Sequence, residues 1–226
     1  MWKRHRIFFA AAAMAMAAVL ALWIAHDLTD STLRDLRQFD GHEVGRLETA
    51  MWRAYYEHHP VRLFVELSEM LRRQYHLPFW RSCVGAYYAA RAAVVFQRGH
   101  SHADYMRALL DLDRYYALIR RASKTGFDAH RAALLELDWW IVHRERAQHR
   151  PADLYSGLAR LQSEIYRLPE ERFEEHARTR GEAMLLRDAR AGSGSPSETD
   201  WQRIAQLLDQ SWVSLGAAVG RAADPR

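Results

Sequence analysis

The sequence predicts an all-α protein in which a single N-terminal transmembrane helix carries an irregular multi-helix bundle. Three observations predict it. Residues 7–25 form an unbroken apolar run, prolines at 60, 78, 151 and 169 punctuate patterns of helical period, and no stretch alternates with period two between turn signals.

The apolar run is 19 residues long, IFFAAAAMAMAAVLALWIA. At 1.5 Å per residue it makes roughly 28 Å of helix, close to the hydrocarbon thickness of a bilayer, and a helix leaves no backbone group unsatisfied in lipid. Lys3, Arg4 and Arg6 precede it and Asp27, Asp30 and Asp35 follow it among Arg34 and Arg37. The positive-inside bias therefore places residues 1–6 in the cytoplasm and the chain after about His26 outside, as a single-pass protein of the cell inner membrane with a periplasmic body. A cleaved secretory signal is the competing reading. It fits less well, because cleavage after Ala25 would set bulky Trp23 in the upstream specificity position. No cysteine stands near the end of the run to accept a lipid, and His5 interrupts a twin-arginine pair.

The chain has 226 residues, 49% hydrophobic and 27% charged, which suits one domain with a sizeable core. An aromatic content of 12% argues against disorder, and one cysteine excludes an intrachain disulfide framework. The formal charge of +4 and pI near 9.4 suggest nucleic acid until the charge is located. Three of those four charges precede the anchor, so the exported body is nearly neutral and nucleic-acid binding is not expected.

After the anchor, helices are expected at 41–58, 60–75, 78–98, 102–121, 128–148, 151–167 and 169–190. Each proline suits a first helical turn, Asp40, Ser101 and Asp128 suit N-caps, and Gly99 and Gly126 suit helix ends. Residues 128–148 are apolar around most of their circumference, which predicts a central helix, whereas EERFEEHARTR in 169–190 predicts a largely solvated one. Residues 191–199, AGSGSPSET, read as a flexible linker separating the 26–190 domain from a last segment, 200–226. That segment opens with an amphipathic helix whose stripe includes Trp201, Leu208, Trp212 and Leu215, suited to the chain's own core or to a protein partner.

Aromatic doublets recur at Tyr55-Tyr56, Tyr87-Tyr88, Tyr115-Tyr116 and Trp139-Trp140. Small and aromatic residues together, as in GAYYAARAA, loosely resemble tetratricopeptide helix pairs. The doublets are not evenly spaced, so a helix-pair repeat stands only as an architectural alternative.

Three ionisable residues lie in apolar settings: Glu48 on a stripe with Trp52 and Tyr56, Arg91 among alanines, and Glu136 in LLELDWW. Buried charges need partners, so Arg91 is expected to pair with Glu48 or Glu136, with Tyr and Trp as further donors. His143 falls on the same helical face as Glu136, which makes Glu48, Glu136 and His143 the candidates for acid–base chemistry. No Glu-x-x-His pair, His-Glu-x-x-His, haem motif, phosphate loop or nucleophile elbow occurs, and neither a metal nor a cofactor is expected. His58, His59, His76 and His149 fall at helix ends, where the dipole accounts for them, and Cys83 reads as a buried thiol. The expected function is a non-enzymatic, membrane-anchored interaction or assembly factor. The alternatives are a module binding an apolar ligand or lipid between helices lined by the aromatic doublets, and an acid–base enzyme.

Overall fold

The computed structural model describes residues 2–191 and 196–220. Helix α1, Trp2–Thr29, contains a stretch, Phe9–Thr29, long and apolar enough to cross a membrane, and the most apolar part of that stretch is not enclosed by the rest of the chain. The helices α2 (Gly41–Tyr56), α3 (Pro60–Tyr75), α4 (Phe79–Arg98), α5 (His102–Met106), α6 (Leu109–Ala122), α7 (Ala129–Arg144), α8 (Pro151–Tyr166), α9 (Glu174–Ala191) and α10 (Glu198–Gly220) follow, with a 3-10 turn at Glu170–Phe173. Among the described residues there is no strand, only one isolated bridge between Arg34 and Ser123.

Apart from the short α5, each helix after α1 packs on the next, and α10 packs back on α2. Short connections force consecutive helices to run antiparallel. The result is a closed ring, α2-α3-α4-α6-α7-α8-α9-α10, with no helix on its axis. Closure depends on close backbone approach. A Cβ at Gly45 would lie 2.8 Å from Asp209 Cα, and one at Gly41 would lie 2.7 Å from the Trp212 carbonyl oxygen, so only glycine lets α10 seat against α2.

The end of α1 is built into this ring. Trp23 stacks on Phe79 with ring centroids 5.6 Å apart and meets Trp80 edge-on. Pro78 precedes α4 and offers no side-chain acceptor, and in its place the buried Asp27 of α1 accepts the Trp80 backbone N–H at 3.1 Å. Arg81 donates to the carbonyls of Leu28 and Asp30. The apolar helix is thus fixed to the first turn of α4.

Asp40, Ser101 and Asp128 cap α2, α5 and α7 through their side chains, as their positions predict. Gly99 ends α4 in extended backbone, while His76 and Arg167 adopt the left-handed conformation after α3 and α8. Four expectations need correction. The 102–121 helix is divided at Arg107 and Ala108 by a tighter turn that no proline or glycine marks. Helix α7 is not central: it lies between α6 and α8 and spends its aromatic face on the space inside the ring. Helix α9 is not mainly solvated, since Ala177, Thr179, Ala183 and Met184 are buried between α8 and α10. The repeat alternative also fails, because in an open solenoid the last helix would not meet the first. Of the expected linker, residues 192–195 lie outside the described residues, as does the tail 221–226.

Candidate functional site

Residues from all eight ring helices enclose a cavity of about 470 Å3. Its wall is mostly carbon, including Met51, Leu67, Met70, Leu112, Ile165 and Met184. Three of the four aromatic doublets line it, Tyr55-Tyr56, Tyr115-Tyr116 and Trp139-Trp140, whereas Tyr87 is on the outside. Between α3 and α4 the wall reaches the surface, because Phe64 and Val94 line the cavity and are 37% and 42% exposed.

Two carboxylates and one guanidinium set the polar middle of the ring. Glu48 on α2 is 0% exposed and receives Arg180 of α9 through Nε at 3.0 Å and Nη2 at 2.7 Å, both on Oε1, while Trp212 Nε1 of α10 donates to Oε2. This three-helix knot joins the two sides of the ring closure. Burial disfavours the Arg180 charge, and the Glu48 carboxylate more than offsets it, holding the guanidinium above its ordinary value. Glu136 on α7 accepts from Tyr116 Oη at 2.8 Å, Trp140 Nε1 at 2.9 Å and Trp139 Nε1 at 3.2 Å. Burial, with the Glu136 charge beside it, pushes the Tyr116 hydroxyl well above the ordinary tyrosine range and keeps it a donor. The Arg180 guanidinium carbon lies 5.4 Å from the Trp139 ring centroid. Deeper in the wall, the amide of Gln162 is buried and its Oε1 has no partner.

Arg91 takes no part. It lies half-exposed on the outside of α4 and pairs with the buried Asp111 of α6 at 2.8 Å, so its expected pair with Glu48 or Glu136 is not formed. Of the alanines around it, Ala92 is fully buried while Ala89, Ala90 and Ala93 line the cavity. Arg180 is the residue that the sequence reading missed. The signal available was the need of a buried Glu48 for a cation, but the polar composition of α9 pointed outward.

Glu136 and His143 do share the cavity wall, as their spacing on one face predicts. His143 turns to Asp188 of α9, at 2.9 Å. The stripe on α10 is occupied within the chain: Trp201, Leu208, Trp212 and Leu215 are buried where α10 meets α2 and α9.

A second cavity of about 590 Å3 adjoins the first and shares Tyr55, Tyr56, Ala93, Trp139, Trp140 and His143 with it as walls. It forms a vestibule at the C-terminal ends of α2, α4, α7 and α9, and adds His58, Arg144, Arg146, Arg187 and Asp188. Burial works against the Asp188 charge, yet His143, Arg187 and Arg146 hold its carboxyl below the ordinary range. Among the described residues, no group of three or more His, Cys, Asp or Glu is placed to hold a metal ion. No family model, curated protein or solved structure matches this chain.

Proposed function

We propose that the ring is a binding module for a small apolar or amphipathic molecule, held at the inner membrane by α1 with its body on the periplasmic side. One observation carries the reading: eight helices close around a cavity with no helix on the axis, and the cavity is walled mainly by carbon and aromatic rings. Its volume of about 470 Å3 falls within the range of ligand pockets, which are apolar with a few placed polar groups. The internal carboxylates already have their hydrogen-bond donors, so an apolar guest need not displace them. The interaction-factor reading drew in part on the amphipathic stripe of α10 as a surface for a partner, and that stripe is packed against α2 and α9.

Acid–base chemistry by Glu136 and His143 is a second reading, supported by their common wall. Against it, Glu136 is engaged by three donors and His143 faces Asp188. Native mass spectrometry of the full chain extracted from its own membranes tests the binding reading. A bound small molecule in one-to-one ratio is expected, and a bare chain would oppose it. A periplasm-active reporter fused after Arg226 should be active, and a signal confined to the cytoplasm would overturn the topology.

A further inference from the structure

The central cavity suggests an apolar body for the guest, but not its head. The vestibule carries the additional information. Its walls hold three guanidinium groups, Arg144, Arg146 and Arg187, against one carboxylate, Asp188. Arg144 is committed to the end of α4, where Nη2 donates to the carbonyls of Gln97 at 3.1 Å and Phe96 at 3.3 Å. The other two face Asp188, and Arg146 also donates through Nη1 to the His143 carbonyl at 3.3 Å. Arg187 donates through Nη1 at 2.8 Å, and Arg146 brings Nε to 3.3 Å from the second oxygen. One carboxylate cannot neutralise both, and His143 draws on it as well.

The donors are also underused. Arg187 stands over Tyr56, its guanidinium carbon 3.2 Å from the ring centroid, and its Nε is buried with no hydrogen-bond partner. A guanidinium with a spare N–H beside a surplus of positive charge is an arrangement that receives a carboxylate or phosphate. Its position fits the cavity below. Arg187 follows Arg180 by two turns of α9, so the basic tier stands roughly 10 Å along the ring from the Glu48–Arg180 tier. The vestibule is also remote from α1, since Gln97 stands roughly 27 Å along α4 from Phe79, where α1 docks.

We infer that the ring takes an anionic amphiphile, its phosphate or carboxylate head in the vestibule on Arg187 and Arg146 and its apolar body in the central cavity, entering from the end away from α1. The inference rests on the binding reading above and adds the head group to it. Octyl phosphate, octanol and inorganic phosphate serve as probes, titrated calorimetrically into the full chain in nanodiscs with empty nanodiscs as blank. Octyl phosphate should bind at least about tenfold more tightly than octanol, the scale of one charge-assisted hydrogen bond. Arg146→Gln should remove about tenfold for octyl phosphate and leave octanol unchanged.

The failures are distinguishable. Equal affinity for octyl phosphate and octanol overturns the head-group inference and leaves the binding reading standing. No binding of either alkyl compound overturns the binding reading itself. Inorganic phosphate bound as tightly as octyl phosphate shows a free-anion site and overturns the amphiphile. Arg187 is packed on Tyr56, and its replacement risks the fold. Arg146, half-exposed, carries the test alone, and an Arg146→Gln chain that melts as wild type yet keeps its preference for octyl phosphate overturns the inference.

Discussion

Replacing Glu48 by Gln tests the knot that joins the ring closure. Glu48 is 0% exposed, and its two oxygens serve Arg180 Nε, Arg180 Nη2 and Trp212 Nε1. Glutamine keeps the shape but removes the charge, leaves the Arg180 guanidinium unpaired inside the ring, and presents an NH2 where a donor already points. Breaking a buried pair by removing one partner costs about 3–5 kcal/mol. Against a total stability of about 5–15 kcal/mol this is a large share. At about 2–4 °C per kcal/mol for a chain of this size, the melting temperature should fall by about 6–20 °C. Circular dichroism melts of the full chain in nanodiscs measure it. The double variant Glu48→Leu with Arg180→Met removes both charges together and should recover most of the loss. A Glu48→Gln chain melting within about 2 °C of wild type, or a double variant no better than the single, would refute the reasoning.

Other outcomes follow from the same structure. His176 is buried on α9 beside Ser211 of α10, and burial lowers its pKa from 6.5 to about 3, with Arg180 adding repulsion. Between those values the unfolded chain holds a proton there that the folded chain refuses, so stability present above pH 6.5 is lost as pH falls, at about 1.4 kcal/mol per unit. Urea midpoints at pH 7.5 and 5.5 should therefore separate more for wild type than for His176→Gln, and equal separations would exclude this role. Asp27→Ala removes the acceptor that α1 supplies to the first turn of α4, and should cost about 1 kcal/mol, read as a lower urea midpoint. An unchanged midpoint would mean that α1 does not brace the ring.

The helices themselves were legible because their punctuation is local. Proline at 60 and 151 opens α3 and α8, and Asp40 and Asp128 supply acceptors at the first turns of α2 and α7. The break between α5 and α6 was not legible, since it is a change from one hydrogen-bond register to another within a run of ordinary helix formers. Ring closure was not legible either. It rests on Gly41 and Gly45 meeting the backbone of α10 across more than 150 residues, a contact that no periodicity announces.

The candidate site was half visible. Three of the four doublets converge on the cavity, and Glu136 and His143 share its wall because residues on one helical face share an environment. Their partners come from other helices, and composition misleads there: Arg91 among alanines is peripheral, while Arg180 among Glu, His and Thr is central. A charged residue is placed by what lies across from it, and only the closed ring shows what that is.

The central claim is that a small molecule occupies the space inside the ring. Ala93 lines both cavities, so Ala93→Phe places a ring at their junction and replaces none of the charged groups that hold the fold. Octanol titrated into the two chains in nanodiscs, with melting temperatures matched first, measures the claim directly. Saturable one-to-one binding to wild type that is lost in Ala93→Phe is the predicted result; equal binding to both chains, or binding to neither, would contradict it.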